Sequence, residues 1–113
     1  MKEIIHNVLG TPYTVKVGHR EEINLKEEFA GECRIYSKEI LVCADKGECT
    51  EEEHEKKVQE IIAHEFFHAY VNEAGLDLDS RDEELLATFY MKNWRKLNNS
   101  VLEVLDESGF LDN

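Results

Sequence analysis

"IIAHEFFHAY", residues 61–70, sets two histidines four positions apart, with a glutamate directly after the first, inside an otherwise apolar run. Residues four apart on an α-helix lie on one face about one turn apart, so His64 and His68 can hold one ion together. Turning by roughly 100° per residue puts Val58, Ile62, Glu65 and Ala69 on one apolar stripe, with both histidines along its edge. A carboxylate on that stripe is costly unless it is paired. A cation held by the histidines, with a water between it and Glu65, removes the cost. The spacing is H-E-x-x-H, in which neutral imidazoles ligate zinc and the glutamate acts as general base.

The flanking sequence makes this a helix. In "TEEE", Thr50 can cap and Glu53 can close a capping box, and the acidic first turn complements the helix dipole. Gly75 is a natural stop. A second box, "SRDE", with Ser80 and Glu83, predicts another helix through about Leu97, and "SVLE", with Ser100 and Glu103, predicts a third. Upstream the pattern is sheet. In "YTVKV", Tyr13, Val15 and Val17 alternate with Thr14 and Lys16. "ECRIYSKEILVCAD" holds two β-rich runs around Ser37, Lys38 and Glu39, a hairpin whose second strand is Ile40 to Ala44. Residues 19–30 suit a short helix or a strand equally. The expected fold is α+β: a small N-terminal sheet of three or four strands packed on the histidine-bearing helix, followed by C-terminal helices.

A chain of 113 residues with 42% hydrophobic content supports one compact core, and no linker interrupts it, so one domain over residues 1–113 is expected. Cys33, Cys43 and Cys49 show no C-x-x-C spacing and cannot all pair within one molecule, which predicts reduced thiols. With 13 basic against 25 acidic residues, the net charge of -12 repels phosphates, so direct nucleic-acid binding is not expected. No apolar run is long enough to cross a bilayer, and "MKEIIHNVLG" has no cleavable-leader pattern, so a soluble cytoplasmic protein without membrane association is expected.

Catalytic zinc sites have three protein ligands plus water, so a third ligand is needed beyond His64 and His68. Glu73, Asp77, Asp79, Asp82, Glu83 and Glu84 lie close enough downstream for the next helix to fold back. Glu83 is the expected capping partner of Ser80, and Asp79 and Asp82 sit at the helix start, where capping also explains them. Glu84 has no such role and leads, with Glu83, Asp79 and Asp82 left open. Ala87, three residues on, lets the two helices approach.

From Gly31 to about Leu97 the sequence resembles the small, often phage-encoded metallopeptidase-like proteins related in layout to the ImmA/IrrE-type gluzincins. The resemblance rests on Gly31, the strand "EILV", "VQEIIAHEFFHAY", an acidic stretch and "EELLATFY". It implies a minimal zincin-like domain, a Zn²⁺ cofactor and a peptide or protein substrate. It also implies that the glutamate of "ELLA", Glu84, is a metal ligand, and that an extended substrate pairs with the strand Ile40 to Ala44 as a sheet edge. Thr88 stands where relatives have asparagine, or where other gluzincins have a carboxylate that supports a ligand histidine.

The expected chemistry is zinc-dependent peptide-bond hydrolysis, with His64, His68 and Glu84 holding the metal and Glu65 as the catalytic base. Two other readings share the sequence: a zinc-binding phage or mobile-element protein without turnover, and an acidic interaction module acting by its surface. Tyr70 and Tyr90 are candidate oxyanion donors, though aromatics at helical spacing suit a core better. Phe66, Phe67, Phe89 and Trp94 read as packing, and His6, His19 and His54 as surface residues.

Overall fold

In the computed structural model, which describes residues 1–110, the chain runs β1 (Lys2–Val8), β2 (Thr11–Gly18), α1 (Arg20–Ile23), β3 (Gly31–Arg34), β4 (Glu39–Cys43), α2 (Glu51–Glu73) and α3 (Ser80–Ser108). The strands form one mixed sheet in the order β1-β2-β4-β3, with β2 and β4 parallel and the outer pairings antiparallel. The architecture is α+β.

β1 carries no alternating signal, because Ile4 and Ile5 are 54% and 72% exposed. The turn that follows places it. Leu9 and Gly10, at φ 49° and 94°, form a two-residue connection of the left-handed kind that matches strand twist. Asn7 Oδ1 accepts from the Gly10 N–H at 2.6 Å. β2 keeps its expected alternation, with Tyr13 and Val15 buried.

β4 is buried on both faces. Ile40 and Val42 join Val8, Tyr13, Val15 and Ala69 under α2, while Leu41 and Cys43 pack with Ile23 and Leu25 on the opposite side. Burial on both faces accounts for its unbroken apolar run. It also corrects the expectation that Ile40 to Ala44 form a sheet edge: β4 is interior and β3 is the edge. Residues 19–30 resolve into α1 and an irregular return, with Asn24 at φ 56° ending the helix.

Helix α2 begins as its capping box requires, with Thr50 Oγ1 accepting from Glu53 N–H at 3.2 Å and Glu53 Oε1 from Thr50 N–H at 3.3 Å. α3 differs from expectation at two points. Its cap is Asp79, not Ser80: Asp79 Oδ1 accepts from Asp82 N–H at 2.9 Å. A carboxylate one residue earlier takes the capping role, and Glu83 is released from it. The third helix expected at Ser100 is a continuation of α3, where Ser100 Oγ donates back to the Lys96 carbonyl at 3.0 Å. α3 reaches α2 through the fully buried Ala87 and a Lys92–Glu60 ion pair at 2.9 Å.

Phe89, read as packing, is 62% exposed. Cys33, Cys43 and Cys49 are free thiols. Among the described residues no helix is long and apolar enough to cross a membrane.

Candidate metal centre

α2 crosses the face of the sheet that carries Ile40 and Val42, so its inward positions are apolar and its histidines stand at the rim. Nε2 of His64 and Nε2 of His68 lie 3.3 Å apart. From α3, Glu84 brings Oε1 to 2.5 Å from His64 Nε2 and 3.3 Å from His68 Nε2. The donor atoms of His64, His68 and Glu84 all lie within 4.8 Å of one another.

This donor set fits a divalent ion. Two atoms bound at ~2.0–2.1 Å around a tetrahedral ion are separated by roughly 3.3 Å, the spacing the two imidazoles already hold. Two nitrogens and one carboxylate oxygen are donors that divalent ions accept, and the exposed side of Glu84 leaves room for further coordination. Burial works to raise the Glu84 pKa, but contact with His64 and the charge of His68 hold it below the usual carboxylate value. The carboxylate is therefore ionised, the form a metal needs.

Glu83 supports the cluster from behind. Nδ1 of His68 pairs with Glu83 Oε2, and because a carboxylate only accepts, Nδ1 carries the proton and Nε2 faces His64 and Glu84. Burial pulls the His68 pKa down, yet the Glu83 bond and the charges of Glu84 and Glu65 more than reverse it.

Glu65 is only 8% exposed, and it takes part in none of the hydrogen bonds or ion pairs among the described residues. Burial, partly offset by His68 and reinforced by Glu84 and Glu32, pushes its carboxyl up to about 7. A group poised there can both take and return a proton at neutral pH.

These residues line a cleft of 740 Å³ between β3, α2 and α3, with Gly31, Cys33, Ile61 and Met91 in its walls. Burial, reinforced by Glu65 and Glu83, pushes the Cys33 thiol up to about 12, so it is a neutral wall of the cleft, and it is not among the three clustered donors. The outer edge of β3 opens beside the cleft. Cys43 N–H donates to the Ala30 carbonyl at 3.0 Å, and the register sets Gly31 opposite Val42 and Cys33 opposite Ile40. Bonded and non-bonded pairs alternate in an antiparallel ladder, so the backbone N–H and C=O of Gly31 and Cys33 point away from β4, toward the open edge.

The structure places His64, Glu65, His68 and Glu84 along one cleft. Asp79 is the α3 cap and Asp82 is exposed beside it. Glu73 accepts from Thr11, Tyr13 and Lys38 instead. Thr88 is exposed, and Glu83 supplies the imidazole-supporting carboxylate that position 88 does not. Tyr70 and Tyr90 line a second groove with Ile62, Phe66 and Trp94, and neither lines the cleft that holds the histidine cluster. His54, expected at the surface, is partly buried with Nε2 2.9 Å from the Ala44 carbonyl. Sequence reasoning missed the roles of Glu83 and the β3 edge; the signal for Glu83 was Asp79, an equally good cap one residue before Ser80. Comparison with protein-family models, curated proteins and solved structures found no match for the chain.

Proposed function

We propose that the chain is a zincin-like, metal-dependent peptidase, in which His64, His68 and Glu84 hold a zinc ion and Glu65 moves the proton. One observation carries this reading. Three potential ligand atoms within 4.8 Å of one another share a cleft with Glu65, a residue 8% exposed whose carboxylate pairs with no group among the described residues. A zinc ion held there supplies Lewis acidity toward a carbonyl oxygen and toward water.

The chain's own groups supply the remainder. An extended peptide pairs with the outward N–H and C=O groups of Gly31 and Cys33, which brings its backbone over the cleft. Glu65, as carboxylate, accepts a proton from the water that attacks the scissile carbonyl and returns it to the leaving amine. Glu83 keeps the His68 imidazole in one tautomer and orientation.

The test begins with metal analysis of protein purified without chelator, where about one zinc per chain is expected. The protein is then incubated with denatured proteins. Fragments that vanish with chelator and return with added zinc support the reading. No metal uptake on titration overturns it, and uptake without cleavage across a broad substrate panel reduces the site to metal binding.

A further inference from the structure

α2 and α3 run antiparallel, as the pairs His68–Glu83, His64–Glu84 and Glu60–Lys92 show. Ile61, one turn before His64, and Met91, two turns after Glu84, therefore lie on the same side of the metal cluster. Gly31 abuts Ile61 there, so Phe29 and Ala30 meet the cleft at that end as well. The result is a basin walled by three elements, with Phe29 from the loop before β3, Ile61 from α2 and Met91 from α3. Phe29 is 42% exposed, yet its loop is tied down. The Arg20 guanidinium donates to the carbonyls of Lys26 and Phe29, the Phe29 N–H donates to the Lys26 carbonyl at 3.1 Å, and the Ala30 carbonyl accepts from Cys43 N–H at 3.0 Å. An aromatic fixed on the rim of a cleft supplies contact area at little conformational cost.

We propose that this basin is a substrate subsite for one large apolar side chain, leucine, methionine or phenylalanine, within two positions of the bond that is cut; this deepens the peptidase reading above and rests on it. Spacing places the residue. Ile61 lies ~4.5 Å along α2 from His64, and an extended chain advances ~3.3 Å per residue, so the side chain that fills the basin is one or two residues from the carbonyl at the cluster. The wall selects its type. Charge does not, because Glu60 is already paired with Lys92 at 2.9 Å, and Glu28 and Lys57 at the same rim are of opposite sign. The apolar walls favour leucine over alanine by the surface removed from water, and disfavour a charged side chain, which loses its hydration there. Continuity identifies the occupant as part of the substrate: the basin and the three ligand atoms share one cleft of 740 Å³.

The test reads the basin without turnover. The chain has two methionines, so carbon-13 methyl labelling reports from Met91 in the basin and from Met1, beside Gly18, as the control. Zinc-treated Glu65→Gln is titrated with glycine–serine host peptides that differ at one central residue: leucine, alanine or aspartate. The Met91 signal is expected to shift while that of Met1 does not, with the leucine peptide binding roughly tenfold more tightly than the alanine peptide and the aspartate peptide most weakly. Adding Phe29→Ala is expected to reduce the leucine-to-alanine ratio to about threefold or less, and Phe29→Leu, which keeps an apolar wall, to retain most of it. In parallel, fragments of denatured proteins cut by wild type are expected to be enriched in leucine, methionine and phenylalanine at one position within two of the cut. Equal affinity for the leucine and alanine peptides, a Met91 signal that does not move, or a preference unchanged by Phe29→Ala overturns the subsite. Leucine-selective binding without any cleavage supports the subsite and counts against the peptidase reading alone. Cleavage without apolar enrichment does the reverse.

Discussion

Glu65 lies against Gly31 so closely that a β-carbon added at Gly31 would stand 3.0 Å from both Cγ and Oε2 of Glu65, and 2.7 Å from Ile61 Cγ2. The edge strand therefore rests on the helix that carries the proposed metal ligands, with glycine as the spacer. Gly31→Ala is expected to cost about 1–3 kcal/mol through overpacking, because α2 and β3 must separate or Glu65 must turn. The strand edge moves while His64, His68 and Glu84 do not. Thermal unfolding is expected to fall and peptide cleavage to drop, with zinc affinity kept within a few-fold by competition titration. Loss of zinc affinity equal to that of His64→Ala would mean that β3 shapes the metal cluster itself.

Glu83 touches His68 on the nitrogen that faces away from the cluster. Glu83→Gln keeps the size and loses the charge, and outer-shell changes of this kind typically weaken metal binding by roughly 10–100-fold. Asp82→Asn, one residue away and exposed, is the control with no expected effect. Zinc affinity of the two variants by competition against a chromogenic chelator decides the matter. Equal affinities would leave Glu83 no role in orienting His68.

Glu73 anchors the far end of α2. Its carboxylate accepts from Lys38 Nζ at 2.8 Å, Tyr13 Oη at 2.6 Å and Thr11 Oγ1 at 2.7 Å, joining α2 to β2 and to the β3–β4 turn. The Lys38 bond first, then those of Tyr13 and Thr11, lower its pKa from 4.5 to about 2. A depressed carboxylate stabilises the fold fully above the unfolded value and loses that contribution as pH falls through the folded one. Glu73→Gln is thus expected to lower the melting temperature at pH 7, and the gap to wild type should narrow between pH 4.5 and about 2. A gap that stays constant over that window would assign the loss to packing and not to charge.

Much of this was legible in the sequence where local chemistry dominates. The Thr50 and Glu53 box and the H-E-x-x-H spacing are short-range patterns, and α2 follows both. Ser80 and Ser100 show the limit of the same logic. Asp79 offers a carboxylate one residue before Ser80, and Ser100 lies in a run of helix formers whose continuation outweighs a cap. β1 was hidden because its isoleucines face solvent, so only pairing with β2 defines it. The order β1-β2-β4-β3 depends on a parallel β2–β4 contact between strands far apart in sequence, which periodicity does not encode, and that contact moved the sheet edge from β4 to β3. One premise for choosing Glu84, Glu83 as a cap partner, fails: the two neighbouring glutamates flank the cluster, one on each side of His68.

Glu65→Gln separates catalysis from metal holding, and it does so by two readouts with opposite signs. Glu65 is outside the three-atom ligand set, so the amide should leave zinc content unchanged while cleavage falls by about 10² to 10⁴. His64→Ala should lose metal and cleavage together. Without metal, the Glu65 carboxyl is raised from 4.5 to about 7 by burial, so the native state binds its proton more tightly than the unfolded state does. Metal-free wild type is then expected to lose stability as pH rises from 4.5 through 7, in total by an amount on the order of a few kcal/mol. The amide carries no such charge, so metal-free Glu65→Gln should melt higher than wild type at pH 8 and no higher at pH 4. A variant that is inactive, takes up zinc as wild type does and, when metal-free, is more stable than wild type at pH 8 is what a buried general base requires. Equal cleavage by wild type and Glu65→Gln would refute the proton-transfer role, and a variant no more stable at pH 8 would show that Glu65 is ionised at no cost to the metal-free fold.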